Sequence, residues 1–361
     1  MKTRPQIARQ RLANLRLTGR PLATPGDVVA ALGAVQAQDY AGAKWAVAQR
    51  TKAAVDSTVE RALAEGTILR THVLRPTWHF VTPADIRWML TLTGPRINTV
   101  MGYYNRHLEL DGAVFRRSND TLARALEGGK HLTRAELAEA LRLSRINVKQ
   151  PTRLVRLLMR AEQDAVICSG APRGKQSTYA LLDERAALTP PIERDEALLR
   201  LTKTYFATRG PATALDFAWW AGITLGDARR GIDIGRSSLE RETIDGHSFW
   251  SGLPASRARK ESPSAHLLPI YDEYFVSYKD RSAAKQRLKI SGVQTGANLL
   301  FANNVVVNGQ LVGTWKRILG RDRVVVELTP MTRLTAAGRS AVAAAARRYG
   351  DFLELPVEIR G

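Results

Sequence analysis

The sequence predicts an α+β fold in which one local pattern, helices followed by a two-stranded hairpin, occurs three times ahead of a β-rich C-terminal part. Three observations predict it. Apolar residues recur at helical spacing between Pro, Gly and Thr stops. Short strand-like runs follow each helical stretch, joined by turn residues such as Asp245-Gly246 and Asn308-Gly309. The 361 residues are 44% hydrophobic and 24% charged, the composition of a folded chain with more than one core.

Residues 5–18 read as a basic helix with Ile7, Leu12 and Leu15 on its apolar side. Thr24-Pro25 opens a second helix, Thr as the cap and Pro in the first turn. Helical character returns over 41–50 and 57–65, where Gly66 ends it. Strand-like runs at 68–74 and 77–82 flank Arg75-Pro76. Helices followed by a hairpin are the pattern of a winged helix-turn-helix, placed here over residues 1–82. Residues 83–130 form a helical connector, with helices over 83–107 and 120–127 and a stop at Gly128-Gly129.

The pattern recurs over 131–183. Thr133-Arg-Ala-Glu136 is a capping box, Pro151 starts a longer helix with Leu154, Leu157 and Leu158 on one face, and strands at 165–168 and 177–182 flank a basic Gly-rich tip. A Pro190-Pro191 linker leads to a third copy over 192–252, whose hairpin turns at Asp245-Gly246. Residues 262–361 differ: a strand-like aromatic run at 266–278, a hairpin around Asn308-Gly309, a strand at 323–328, an Ala-rich helix at 334–349 and a last strand at 355–359. They predict a small sheet packed by one helix.

Lys and Arg number 54 against 34 Asp and Glu, a net charge of +20. A field of that sign favours polyanions, chiefly DNA or RNA, although codon bias towards Arg and Ala also produces such an excess. There is no apolar run long enough to span a membrane and no apolar signal-peptide core near the start. Cys168 is the only cysteine and the six histidines are dispersed, so neither a disulfide nor a metal cluster is expected. The expectation is a cytoplasmic protein without metal or cofactor.

Four stretches carry possible chemistry. Gln36-Ala37-Gln38 places two neutral amides two residues apart, which in an extended chain face one way and in a helix diverge. Arg75-Pro-Thr-Trp78-His79 puts a cation, an aromatic ring and an imidazole on the first hairpin, as a nucleotide-facing wing or as packing. The run 268–281 is dense in acids, aromatics and cations, including Asp272, Glu273, Lys279, Asp280 and Arg281. Its carboxylates suit a metal or acid–base pair, or, more commonly, ion pairs with arginine. Trp315-Lys316-Arg317 suits either a strand that tracks phosphates and enters a groove or a packed strand with solvated cations.

On Gln36-Ala37-Gln38, Arg75-Pro76-Thr77-Trp78-His79, the run 268–281 and Gly313-Thr314-Trp315-Lys316, the chain resembles the winged-helix DNA glycosylases of the AlkZ and YcaQ type over nearly its whole length. The Gln-x-Gln form is that of the AlkZ-like branch; the other branch has Asp at the second position. The resemblance implies three winged-helix units in a C-shaped arc around a basic concave surface. It also implies excision of N7-alkylated purines, unhooking of interstrand crosslinks, and in some relatives self-resistance to a DNA-alkylating antibiotic. On that reading Gln36 and Gln38 are catalytic, with Gln38 holding the water and Gln36 orienting it or contacting the sugar. Arg75, Trp78, His79, Lys279, Arg281, Trp315, Lys316 and Arg317 contact DNA. The partner is double-stranded DNA carrying alkylated purines or crosslinks, met by a monomer.

The chemistry agrees with the residue types. Alkylation at N7 makes the base a cation, so it leaves without prior protonation, through a transition state of oxocarbenium character. Amides then serve to position water and stabilise charge rather than to abstract a proton. Two alternatives remain: a non-catalytic winged-helix regulator, in which the glutamines are dispensable, and a metal-dependent nuclease built on Asp272, Glu273 and Asp280.

Overall fold

Helix starts sit where the sequence punctuates them. In the computed structural model, which describes residues 2–253, 263–290 and 301–361, the Thr24 hydroxyl accepts the Asp27 N–H at 3.1 Å and opens helix Pro25–Leu32. Thr133 accepts the Glu136 N–H at 3.3 Å and opens helix Arg134–Leu143. Each such cap satisfies one N–H that has no partner inside the helix. The fold is α+β and divides into two compact units. The expected start of the C-terminal part at residue 262 lies outside the described residues.

The first unit comprises Met1–Val59, Leu199–Trp220 and Thr224–Gly361. Its main sheet has five strands in the order Val357–Arg360, Val324–Pro330, Gln310–Leu319, Asn304–Val307, Ala265–Leu268. The first two pair parallel and the others antiparallel. Asn308 and Gly309, at φ 51° and 78°, make the tight turn that Asn-Gly predicts. Helix Ala336–Leu353 lays Tyr349 and Phe352 on Trp45, and Tyr349 also meets Trp315 edge-on at 5.0 Å. A separate two-stranded ribbon, Leu239–Ile244 with His247–Gly252, turns at Asp245-Gly246.

One expectation fails here. Of the run 266–278, only Ala265–Leu268 is a strand; Glu273–Val276 is a helical turn whose Tyr274 N–H is capped by the Asp272 carboxylate at 2.9 Å. Residues 272–278 are all buried, so aromatic density hid the missing two-residue alternation.

The second unit comprises Glu60–Leu198 and Ala221–Ile223. Strands Leu69–His72 and Trp78–Val81 form its first hairpin, with His72 opposite Trp78. Helices Gly112–Leu126, Arg134–Leu143 and Pro151–Gln163 close over a core that includes Leu122, Leu137, Leu141, Leu157 and Leu158. A three-stranded sheet places Thr178–Leu181 between Leu132–Thr133 and Ile167–Ser169. The helix expected from residue 120 begins earlier, because Asp111 caps it by accepting the Val114 N–H at 2.8 Å. A short helix, Leu182–Arg185, precedes the expected linker at Pro190-Pro191.

Candidate active site

The segment carrying Gln36-Ala37-Gln38 is fixed by a buried ion pair. Helix Pro25–Leu32 ends at Gly33, whose φ of 75° only glycine adopts without strain, and the chain then extends through the short strand Val35–Gln36. Arg209 donates to the Leu32 and Ala34 carbonyls at 2.8 and 3.1 Å. Its Nη2 also meets Glu273 Oε2 at 2.7 Å, and neither side chain of the pair reaches solvent. Glu273 Oε1 accepts the Gln36 backbone N–H at 2.9 Å. Trp220 Nε1 and Ser277 Oγ donate to Oε2 of the same carboxylate at 2.9 and 2.8 Å. One ion pair thus holds the carbonyl side of this segment through Arg209 and its N–H side through Glu273. The Arg209 guanidinium lies 4.1 Å over the Trp220 ring, which adds a cation–π contact.

The two amides differ in depth. Gln36 is 8% exposed, Ala37 is fully buried and Gln38 is exposed. Asp39 precedes helix Tyr40–Ala48, and its carboxylate lies against the first turn at Gly42. A Cβ on Gly42 would sit 2.4 Å from Asp39 Oδ2, so the glycine is what admits the carboxylate. Burial, and after it the negative charge of Asp39, raise the Tyr271 hydroxyl above its ordinary pKa. Burial opposes the charge on Arg317, but the Tyr349 hydroxyl and the Asp39 and Asp56 carboxylates outweigh it and raise its pKa.

Asp272 and Glu273 take the ion-pair alternative. Arg50 grips Asp272 with two bonds, of 3.0 and 2.9 Å, while Arg209 holds Glu273. The oxygens that a nuclease would turn towards a metal are thus turned towards buried guanidinium groups, and Asp280 is engaged by Ser282 and Arg4. The described residues contain no cluster of acids, histidines and cysteine that could hold a metal ion.

Among the cations expected to meet DNA, Lys279 and Lys316 are exposed. Lys279 and Arg281 both lie over the Trp219 ring, at 4.7 and 5.6 Å. Arg317 is half-buried and donates to the Tyr349 hydroxyl at 2.9 Å. Trp315 is a correction: it is 3% exposed, its indole donates to the Leu268 carbonyl at 2.9 Å, and its ring packs in the core. It cannot enter a groove while it holds the sheet on its helix.

In the second unit, Arg75 and Trp78 are half-buried. The Trp78 indole donates to Glu162 at 3.3 Å and its ring lies 4.3 Å under the Arg70 guanidinium. Glu162 also binds His72 Nδ1. His79 has no exposed surface and its Nδ1 bonds the Thr77 carbonyl at 2.9 Å, so burial excludes it from direct contact with DNA.

Nothing local in the sequence marks Arg50, Arg209 and Trp220 as partners of the acidic pair. Arg50 lies 222 residues from Asp272 and Arg209 lies 64 from Glu273, separations that no local pattern bridges. The only available signal was an arginine at the end of an apolar helix, before Gly210-Pro211.

Residues 29–352 match the family described as DNA glycosylase AlkZ-like. The interstrand DNA cross-link repair glycosylase of Streptomyces sahachiroi is similar at 26% identity over 376 residues, covering 98% of this chain and 98% of that protein. The solved structure of Streptomyces sahachiroi DNA glycosylase AlkZ has the same fold, with a TM-score of 0.80 at 24% identity, over 99% of this chain and 100% of that one.

Proposed function

Since the chain belongs to the AlkZ-like DNA glycosylase family, we propose that it hydrolyses the N-glycosidic bond of cationic N7-alkylated purines, including those tied into interstrand crosslinks, with Gln36 and Gln38 as its catalytic residues. The observation that carries this reading is the fixed segment at 32–36, which holds the nearly buried Gln36 and leads directly to the exposed Gln38. Neither amide titrates, so the pair suits a base that leaves without being protonated. As the bond breaks, its electron pair moves to the purine and neutralises the alkylated ring. A water held by the Gln38 and Gln36 carbonyl oxygens bonds to C1′ and releases a proton to solvent, leaving an abasic site. The amide dipoles stabilise the oxocarbenium charge without reorganising.

The repeated helix–helix–hairpin pattern at 1–82, 131–183 and 192–252 supports three tandem winged-helix units, with a helical connector at 83–130 and the β-rich part from 262. Lys279, Arg281, Lys316, Arg317, Arg75 and Trp78 are the side chains assigned to the DNA. Trp315 and His79 support that surface from within. We assign the protein to repair of chromosomal DNA as a nucleoid-associated cytoplasmic monomer, or to self-resistance in a producer of a DNA-alkylating antibiotic. Among the described residues no helix is long and apolar enough to cross a membrane.

The test is incubation with duplex DNA carrying N7-methylguanine or an N7-linked crosslink, followed by alkaline cleavage at abasic sites. The wild type releases the alkylated base, and a Gln36→Ala/Gln38→Ala double variant loses on the order of 10²-fold or more in rate. Absence of abasic sites on both substrates would overturn the proposal.

A further inference from the structure

Resting on the assignment of Gln36 to catalysis, we infer that Glu273, locked by Arg209, is a positioning residue for the reaction: it sets the aim of Gln36 through that residue's backbone N–H. A buried carboxylate is costly unless it is paired and its lone pairs are used. Glu273 meets both conditions, with Arg209, Trp220 and Ser277 on Oε2 and the Gln36 N–H on Oε1. The first three donors come from helices Arg194–Arg209 and Ala214–Ala221 and the turn at Ser277, all packed and fully buried. Only the fourth leads to a segment without regular structure on its C-terminal side, where Ala37 and Gln38 leave the strand.

The geometry therefore transmits rigidity in one direction. Ser277 Oγ accepts from Arg209 Nε at 2.9 Å while donating to Glu273, so the guanidinium and the carboxylate share a common third partner. Arg209 adds the Leu32 and Ala34 carbonyls, so residues 32, 34 and 36 are held to one ion pair from both backbone edges. A misplacement of about 1 Å in a positioning group costs on the order of 10²-fold in rate. A carboxamide that orients water acts through its direction and carries no net charge, so a shift of the backbone that bears it changes its aim.

The test is a set of single-turnover rates on an N7-methylguanine duplex with DNA affinity measured in parallel. Glu273→Asp keeps a carboxylate for Arg209 but withdraws its oxygen from the Gln36 N–H by one methylene. We expect its rate constant to fall tenfold or more, with the Kd for DNA within twofold of wild type and the circular dichroism unchanged. In a Gln36→Ala background the same substitution should produce no further loss, because the residue it aims is gone. If Glu273→Asp fails to fold, Ser277→Ala is the second probe: it removes one bond from each member of the pair and should lower the rate several-fold, again only when Gln36 is present. Loss of rate that persists undiminished in the Gln36→Ala background overturns the inference, as does a wild-type rate in a folded Glu273→Asp or Ser277→Ala variant. Failure of the catalytic assignment looks different: Gln36→Ala itself then retains full rate.

Discussion

Two hairpins in this chain carry the same ingredients and use them in opposite ways. In the second unit, the hairpin of Leu69–His72 and Trp78–Val81 has its tip tucked in. Val73 and Leu74 at the turn are fully buried, and Gly222 passes so close that a Cβ there would lie 2.0 Å from the Leu74 carbonyl oxygen. In the first unit, the hairpin of Gln310–Leu319 and Val324–Pro330 is held at its base and open at its tip. Trp315 is core, yet Ile318 and Leu319 are 48% and 57% exposed and Arg321 to Arg323 are all exposed. An aromatic ring with neighbouring cations therefore does not mark a nucleic-acid contact by itself. What separates the two is whether the turn is satisfied by the protein or left to solvent.

The largest effect expected from this contrast concerns the base of the open hairpin. Trp315→Ala removes a buried indole and its bond to Leu268, and should cost about 3–5 kcal/mol. Leu319→Ala, near the tip, should stay within about 0.5 kcal/mol. Denaturant unfolding of both variants measures the difference, and equal midpoints would erase the distinction between base and tip.

An intermediate effect concerns acid. His266 lies on the Ala265–Leu268 strand of the same sheet; burial, then the Arg348 and Arg50 charges, hold it down at about 3. A folded pKa below the unfolded value of 6.5 means the unfolded chain takes up the proton first. The stability due to neutral His266 is thus complete above about pH 6.5 and is lost as pH falls towards 3. At pH 5 the loss should be about 2 kcal/mol, and His266→Phe should abolish that part of it. Unfolding titrations at pH 7 and pH 5 check this; an identical acid dependence in the variant would contradict it.

The smallest effect lies on the surface of the open hairpin. Lys316→Ala should leave stability unchanged and weaken DNA binding several-fold, while the slope of log K against log salt falls in magnitude by about 1. An unaltered salt slope would remove Lys316 from the DNA-facing set and bring the two hairpins closer in role.

Much of this architecture is written locally. Thr24-Pro25, the box at Thr133 and Glu136, Asn308-Gly309 and Asp245-Gly246 each fix a helix start or a turn by bonds within a few residues, and each stands where its sequence places it. The segment around Gln36 was legible through the family resemblance, because two glutamines two residues apart are by themselves a weak pattern that a solvated surface also produces. What holds it was not. Arg209 and Glu273 meet only after the chain has folded, and an acidic, aromatic run such as 268–281 looks the same whether its carboxylates face a metal or an arginine. The depth of Trp315 was likewise hidden, since an alternating strand does not say which face its helix will cover.

The first unit is assembled from both ends of the chain with a long insertion between them, and this has a consequence for synthesis on the ribosome. The insertion's main stretch, 60–198, is contiguous and can be complete while the remainder is still being made. The opening helix and helix Tyr40–Ala48 must wait: Arg11 and Asn14 of the first donate to Pro211 and Gly210, and Trp45 of the second donates to Leu267. Residues 32–36 are therefore synthesised well before Arg209 and Glu273, the two side chains that hold them, and the segment is fixed only after residue 273 has emerged.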